Sequence, residues 1–419
     1  MDDNEVVLEQ LQVVEETSRA RQQGARVVRS GRALCLSGGG FRAALFHLGA
    51  LLRLHQTRQL DDVTLFSSVS GGSIVSAWLA CRFLDTRRDP AETFPDWCGR
   101  IDFRTVVVEP FRGVVTNDIR TGPVLSTWPW NWLFPSRRVK MLEQAYTRIY
   151  GRTTLHDLPD RPGFAICATD LTFGVHWVFS KRRIGDYLAG YLRAARPIPL
   201  AEAVAASSCF PPVFGPVRFK ANPADFHRGK YHGADADVLR SRIDLTDGGV
   251  YDNLATEPTL RRYGEVLISD AGAPFPFQTR RWFFKQLMRY TQVIGNQAQA
   301  LRKRIYFKLR TDDTIEGAYW GIAGARLRAN TSFPGYSQAL IVEVIGRVRT
   351  DLDRFLDDEF SVLVNHGYFA CANSMQREEQ WQSDVPTEWP YPALADEARV
   401  RRAMRFSHRR IFHHRWWRR

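Results

Sequence analysis

An α/β fold organised around a parallel sheet is what this 419-residue sequence predicts, on three observations. "RALCLS" (32–37) and "VTLFSSVS" (63–70) are short apolar runs of strand length. Each passes through glycine into a segment with helical spacing, "FRAALFHLGALLRLHQ" (41–56) and "GGSIVSAWLACRFL" (71–84). Four more strand-like stretches follow, "GFAICATDL", "VHWVFS", "IDLTDGG" and "GEVLISDAG", each with polar turn residues after it. Strand, tight turn and helix in repetition pair their strands in parallel, because the helix carries the chain back across the sheet.

Ahead of the first strand, residues 1–23 carry Val7, Leu8, Leu11 and Val14 at helical spacing and read as an amphipathic leader. From about residue 280 the pattern turns mostly helical. No internal repeat and no low-complexity linker interrupts the chain, which points to one elaborated domain. A composition of 44% hydrophobic and 25% charged residues suits a globular protein with a large core. No apolar run reaches the roughly 18 residues that a membrane-crossing helix needs. The opening "MDDNEVVLEQLQVVEE" is acidic where an export signal would be basic. The six cysteines form no C-x-x-C pair. The expected setting is therefore the cytoplasm, with reduced thiols. The net charge of +13 is unevenly spread, since residues 399–419 hold nine arginines and no acid. The other 398 residues carry only +4. A near-neutral body thus ends in a basic tail studded with Phe412, Trp416 and Trp417.

Three short stretches carry chemistry. In "SSVSGGS" (67–73), Ser70 stands where the second strand meets the second helix, with Gly71 and Gly72 behind it. A serine on such a sharp turn is the setting of a nucleophile elbow, whose strained backbone needs small neighbours. Here the G-x-S-x-G pattern reads Ser68-Val69-Ser70-Gly71-Gly72, and the alternative is a turn without chemistry. Gly38, Gly39 and Gly40 end the preceding strand, so in a parallel sheet their loop opens on the same edge. A serine hydrolase needs backbone N–H groups aimed at its oxyanion. Gly39 or Gly40 with Gly71 would supply them, and Arg42 would hold the loop or add positive charge. A phosphate-binding loop is the rival, but Phe41-Arg42-Ala43 lacks the Gly-Lys-Ser/Thr it requires. The third stretch is "LTDGGVYDN" (245–253), where Asp247 ends a strand and Gly248 and Gly249 allow a tight turn. Asp-Gly-Gly also occurs in plain turns.

In this order, "SGGGFR", "SVSGG" and "DGG" resemble the patatin-like phospholipase family. The stretches "FAICATDLTFG", "AVAASSCFPPVF" and "RTDLDRFLDDEFSVLVNHGYFA" are similar to it too, extending the likeness over about 31–376. The resemblance implies a three-layer fold with a mostly parallel central sheet and helical C-terminal additions. It also implies a Ser–Asp dyad, with Ser70 as nucleophile and Asp247 as base. Gly38–Gly40, Arg42 and Gly71 would form the oxyanion hole, supported by Gly72, Gly248, Gly249 and Asn253. The domain limits expected are a leader at 1–30, the phospholipase domain at 31–376 and a basic aromatic tail at 377–419. The expected activity is hydrolysis of fatty-acyl esters of glycerophospholipids at a membrane surface, without metal or other cofactor. A regulatory ligand or partner is left open.

Two alternatives stay beside it. A triad of Ser70, Asp270 and His366 would follow the conventional Ser…Asp…His order and act on neutral or soluble esters. Against it, "FSVLVNHGYF" reads as a helix ending at Asn365-His366 with Gly367 as its stop, a favourable place for a plain histidine. His47 reads as a packed helix residue. The other alternative is a non-catalytic lipid- or nucleic-acid-binding protein. Its best support is the basic aromatic tail and "STWPWNWLFPSRRVK" (126–140), where Trp128, Trp130, Trp132 and Phe134 precede Arg137, Arg138 and Lys140. Such surfaces suit anionic bilayers as well as nucleic acid, and beside a lipase-like site the membrane is the more economical target. "RRWFFKQLMRY" (280–290) has the same character, though much of it would be core. His227, His232, Asp235 and Asp237 fall in a polar insertion without structural-zinc spacing and read as an exposed loop.

Overall fold

The computed structural model describes residues 29–119, 135–192, 197–211, 213–275, 283–324, 334–378, 381 and 384–409. The leader, the four aromatic residues at 128–134 and Phe412, Trp416 and Trp417 of the tail lie outside them.

Among the described residues eleven strands form one sheet. They are β1 (Arg32–Leu36), β2 (Val63–Val69), β3 (Gly163–Asp170), β4 (Val175–Phe179), β5 (Ile184–Asp186), β6 (Gly190–Leu192), β7 (Val217–Phe219), β8 (Phe226–His227), β9 (Ile243–Asp247), β10 (Glu265–Asp270) and β11 (Tyr319–Gly321). The order β11-β10-β1-β2-β3 is parallel throughout. Beyond β3 the sheet continues antiparallel through β4, β5, β6 and β8, while β9 pairs with both β3 and β7. The first half is joined by long crossovers. In the second, β3, β4, β5 and β6 follow one another through short connections that permit antiparallel neighbours.

Five helices build the layers on either side of the sheet and the surroundings of the site: α1 (Gly40–Gln56), α2 (Gly71–Thr86), α3 (Leu200–Ser208), α4 (Phe283–Thr311) and α5 (Asp357–Met375). Period-2 alternation in the strands sorts side chains onto two faces. Leu34, Leu36, Phe66 and Leu267 join the main core together with Phe41, Leu45, Leu48, Ile74, Leu79, Val204, Phe360 and Leu363 from α1, α2, α3 and α5. Cys35, Val266 and Ile268 point the other way, toward Tyr306 of α4. That is the three-layer arrangement. Each fully buried Leu or Phe contributes about 1.5–3 kcal/mol, so the main core dominates the stability of the molecule.

Two findings differ from the sequence-based expectation. The helix expected to stop at Gly367 runs on to Met375. Gly367 lies where α5 crosses α1: a methyl group there would overlap the Phe46 carbonyl, and one at Gly49 would overlap that of Val364. The glycine serves close helix–helix approach rather than termination. The other difference is β11, a strand in a region expected to be mostly helical. It pairs with β10 at the sheet edge.

Candidate active site

Sheet register determines how the site is assembled. β2 pairs with β3 as far as Val69 opposite Cys167. β4 occupies the other edge of β3 from Ile166 to Asp170. β9, which pairs with β3 from Asp247 opposite Ala168 to Leu245 opposite Asp170, must therefore lie on the β2 edge. β2 and β9 approach tip to tip along one track, and Ser70 and Asp247 meet at the seam.

Ser70 has φ 50° and ψ −116°, a conformation that costs a non-glycine residue about 1–3 kcal/mol and recurs at functional sites. Glycines make the turn possible. A Cβ at Gly71 would overlap the Gly40 carbonyl, and one at Gly72 the Leu36 carbonyl. The Ser70 N–H donates to Ser207 Oγ at 3.0 Å, and Ser207 Oγ donates to Cys167 O at 2.6 Å. Ser207 and Ser73 Oγ are 2.8 Å apart. Ser68 belongs to the same cluster, 2.8 Å from Ser76 Oγ. Ser70 is 7% exposed, while Ser68 and Val69 before it are fully covered.

Asp247 is 2% exposed. Its Oδ1 accepts from Gly249 N at 2.7 Å, and the Ser70 side chain lies beside it and favours the charged form. Burial pushes the carboxyl up to about 6, against these two contacts. Gly248 is required because a Cβ would overlap the Cys167 carbonyl, so β3 braces both halves of the seam.

The glycine loop is held from three directions. Gly38 N donates to Asn253 O at 3.1 Å, and Asn253 Oδ1 lies where side chains at Gly38 and Gly249 would be. Phe41 N donates to Asp351 O at 2.9 Å, beside Gly40 at φ +60°. Arg42, 1% exposed, donates to Val348 O at 3.0 Å and Ala271 O at 2.7 Å. Burial lowers its guanidinium to about 10, with Asp270 opposing. Of the residues expected to form the oxyanion hole, Gly38 thus has its N–H committed to Asn253, and Arg42 braces the loop. Gly40 and Gly71 are the first residues of α1 and α2, and Gly39 precedes Gly40, so none of the three has a carbonyl within its helix to bond. Their N–H groups lie at the positive ends of two helix dipoles that converge on Ser70.

The alternative triad is not brought together. His366 Nε2 donates to Ile322 O at 2.7 Å, and burial lowers its ring to about 4. Asp270 is bound to Lys303 Nζ and Tyr319 OH, both at 2.6 Å, and to Gly272 N at 2.8 Å. Burial pushes Asp270 up, but these contacts outweigh it and hold the carboxyl below its ordinary value. His47 is a packed helix residue: Nε2 donates to Ser37 O at 2.9 Å, so Nδ1 accepts from Ser269 Oγ at 2.7 Å. His232, Asp235 and Asp237 are exposed, His227 is half-buried, and no group of three or more metal-ligating side chains occurs among the described residues. Sequence reasoning missed Ser207, Ala271 and the Asp351 carbonyl. The first stands in "AVAASSCFPPVF" and the last in "RTDLDRF", so a signal existed, but their contacts span long stretches of sequence.

Among the described residues no helix is long and apolar enough to cross a membrane. No curated protein matches the chain in sequence. Among solved structures, the human GIVD cytosolic phospholipase A2 in complex with methyl gamma-linolenyl fluorophosphonate aligns at 14% identity and a TM-score of 0.46, over 84% of this chain and 59% of that one. VipD from Legionella pneumophila aligns at 14% identity and a TM-score of 0.33, over 82% and 66%. The type III effector ExoU aligns at 10% and a TM-score of 0.30, over 84% and 54%. The chain thus spans about half to two thirds of the length of these structures. Residues 34–260 match the Patatin family, described as patatin-like phospholipase. That match takes in more than half of the chain and all three motif loops: the chain belongs to the patatin-like phospholipase family.

Proposed function

We propose that this protein is a serine acyl hydrolase that uses a Ser70–Asp247 dyad to cleave fatty-acyl esters of glycerophospholipids at a membrane surface. The observation that carries the reading is the buried Asp247 carboxylate, raised to about 6, beside a serine held in a strained turn. Ser70 Oγ attacks the ester carbonyl while Asp247 takes its proton. The oxyanion that forms is received by the N–H groups of Gly39, Gly40 and Gly71. Asp247 then gives the proton to the departing alcohol, leaving an acyl-serine. A water that loses its proton to the same carboxylate releases the fatty acid and restores Ser70. A carboxylate near 6 is a stronger base than an ordinary aspartate and still ionised at neutral pH.

A lipid surface as substrate source is supported by α4. Tyr290, Ile294, Leu301 and Ile305 are exposed along one face of that helix. Gln299 on the same helix reaches Asp270 at 3.5 Å, which places it beside the site. Apolar side chains among basic ones are what a helix lying on an anionic bilayer presents.

Ser70→Ala deletes one hydroxyl and leaves the turn intact. Fluorophosphonate labelling and release of fatty acid from phospholipid vesicles are expected to vanish while the melting temperature stays within a few degrees. Full labelling of the variant would place the nucleophile elsewhere.

A further inference from the structure

Away from the seam, a pocket of about 510 Å³ opens where β2, β3 and β4 meet the 257–263 segment. Six cations line it: Lys181, Arg182, Arg183, Lys230, Arg261 and Arg262. Among the described residues two carboxylates line it, and both are engaged. Asp160 pairs with Lys181 at 3.3 Å and Arg182 at 3.2 Å, and Glu257 pairs with Arg302 at 2.9 Å. Arg183 and Arg262 meet no carboxylate among the described residues. Arg183 lies 5.0 Å over the Tyr191 ring, and burial together with the Arg183 charge depresses the Arg262 guanidinium. Arg262 is nonetheless exposed and Arg183 half-buried, so the two like charges sit near each other on the open side of the pocket, where one anion can reach both.

We propose that this pocket is a second ligand site, taking a phosphate-bearing anion that bridges Arg183 and Arg262. Guanidinium forks match phosphate oxygens in pairs, and two forks converging on one dianion recover the repulsion between them. Tyr187, Tyr191, Tyr251 and Tyr263 add phenolic walls. The pocket reaches Tyr251, four residues past Asp247, whose N–H donates to Thr169 Oγ1 at 3.2 Å, and Thr169 Oγ1 donates to Asp247 O at 2.9 Å. A path of two hydrogen bonds thus joins a residue of the pocket wall to the main-chain carbonyl of Asp247. The phosphate can come from a soluble compound or from a lipid headgroup.

The test is titration calorimetry of the full chain with inorganic pyrophosphate, and co-sedimentation with phosphatidylcholine vesicles with and without phosphatidic acid. One pyrophosphate per chain is expected, weakened at least tenfold by Arg183→Gln and by Arg262→Gln but less than twofold by the exposed control Lys220→Gln. Pyrophosphate that displaces the protein from phosphatidic acid vesicles marks a headgroup site. Saturable pyrophosphate binding without such competition marks a soluble ligand. Because Arg262 is exposed and meets no carboxylate among the described residues, the melting temperature of Arg262→Gln without pyrophosphate is expected to hold, and the rise on adding pyrophosphate to be lost. Binding should persist in Ser70→Ala, which separates this site from the hydrolase reading. No binding up to millimolar pyrophosphate, or an equal loss in Lys220→Gln, overturns the proposal.

Discussion

Asp247 is where function and stability pull in opposite directions. Its carboxyl titrates near 3.8 when unfolded and about 6 when folded. The folded protein therefore holds the extra proton between about pH 4 and 6, and stability contributed by the protonated form is lost as pH rises through that window. A shift of that size amounts to about 3 kcal/mol at most. Asp247→Asn is thus expected to raise the melting temperature at pH 8, with little or no gain at pH 4, while lowering kcat/KM by about 10²–10⁴. In the unmodified protein, kcat/KM should climb through an apparent pKa of about 6. A stability gain independent of pH, or a profile flat from 5 to 7, would remove the carboxylate from its role as base. Ser70, Asp247 and the glycines were legible because chemistry restricts residue type and spacing within each loop. Ser207 was not, because the bond that fixes it joins residues 137 positions apart.

Strands were the most legible elements where they are buried on both faces, as β1, β2, β3 and β10 are. The short strands β5 to β8 carry too few residues to display a period, and β11 has three. The helix over 357–375 was legible in place but not in extent, since glycine reads as a stop unless the crossing partner is known. That difference has a measurable consequence. Gly367→Ala has the better helix former, yet its methyl group would meet the Phe46 carbonyl on α1. Overpacking of this kind typically costs about 1–3 kcal/mol and can exceed it against backbone. The urea midpoint is expected to fall accordingly, and Gly49→Ala should do the same from the facing helix. A rise of about 1 kcal/mol, the propensity gain for an exposed helical site, would show that the helices separate without cost.

For the whole molecule, charge distribution was readable from composition, but the limit of the body was not. Val400 and Met404 are buried in the main core, and Arg349 donates to Ser407 O at 3.2 Å. A deletion that keeps these contacts starts at residue 410, removing Phe412, Trp416, Trp417 and four arginines. It is expected to weaken co-sedimentation with anionic vesicles, most at low salt, while sparing hydrolysis of a short soluble ester. Each basic residue near an anionic surface contributes about 1 kcal/mol, screened as salt is added. Equal vesicle binding with and without 410–419 would assign adsorption to other surfaces, α4 first among them.

The tip-to-tip meeting of β2 and β9 has one further consequence. Nucleophile and base are aligned by a third backbone, that of β3, and not by the peptide chain running between them. Covalent continuity across the exposed turn at 232–235 is then dispensable once folding is complete. A protein nicked there by a protease, or co-expressed as two fragments divided at Gly233, is expected to keep its esterase turnover within a few-fold and to elute as a single non-covalent complex. Fragments that associate without activity would mean that the loop, rather than the β3 ruler, sets the spacing. If the ruler suffices, the two halves form a reporter whose catalysis exists only while they are joined.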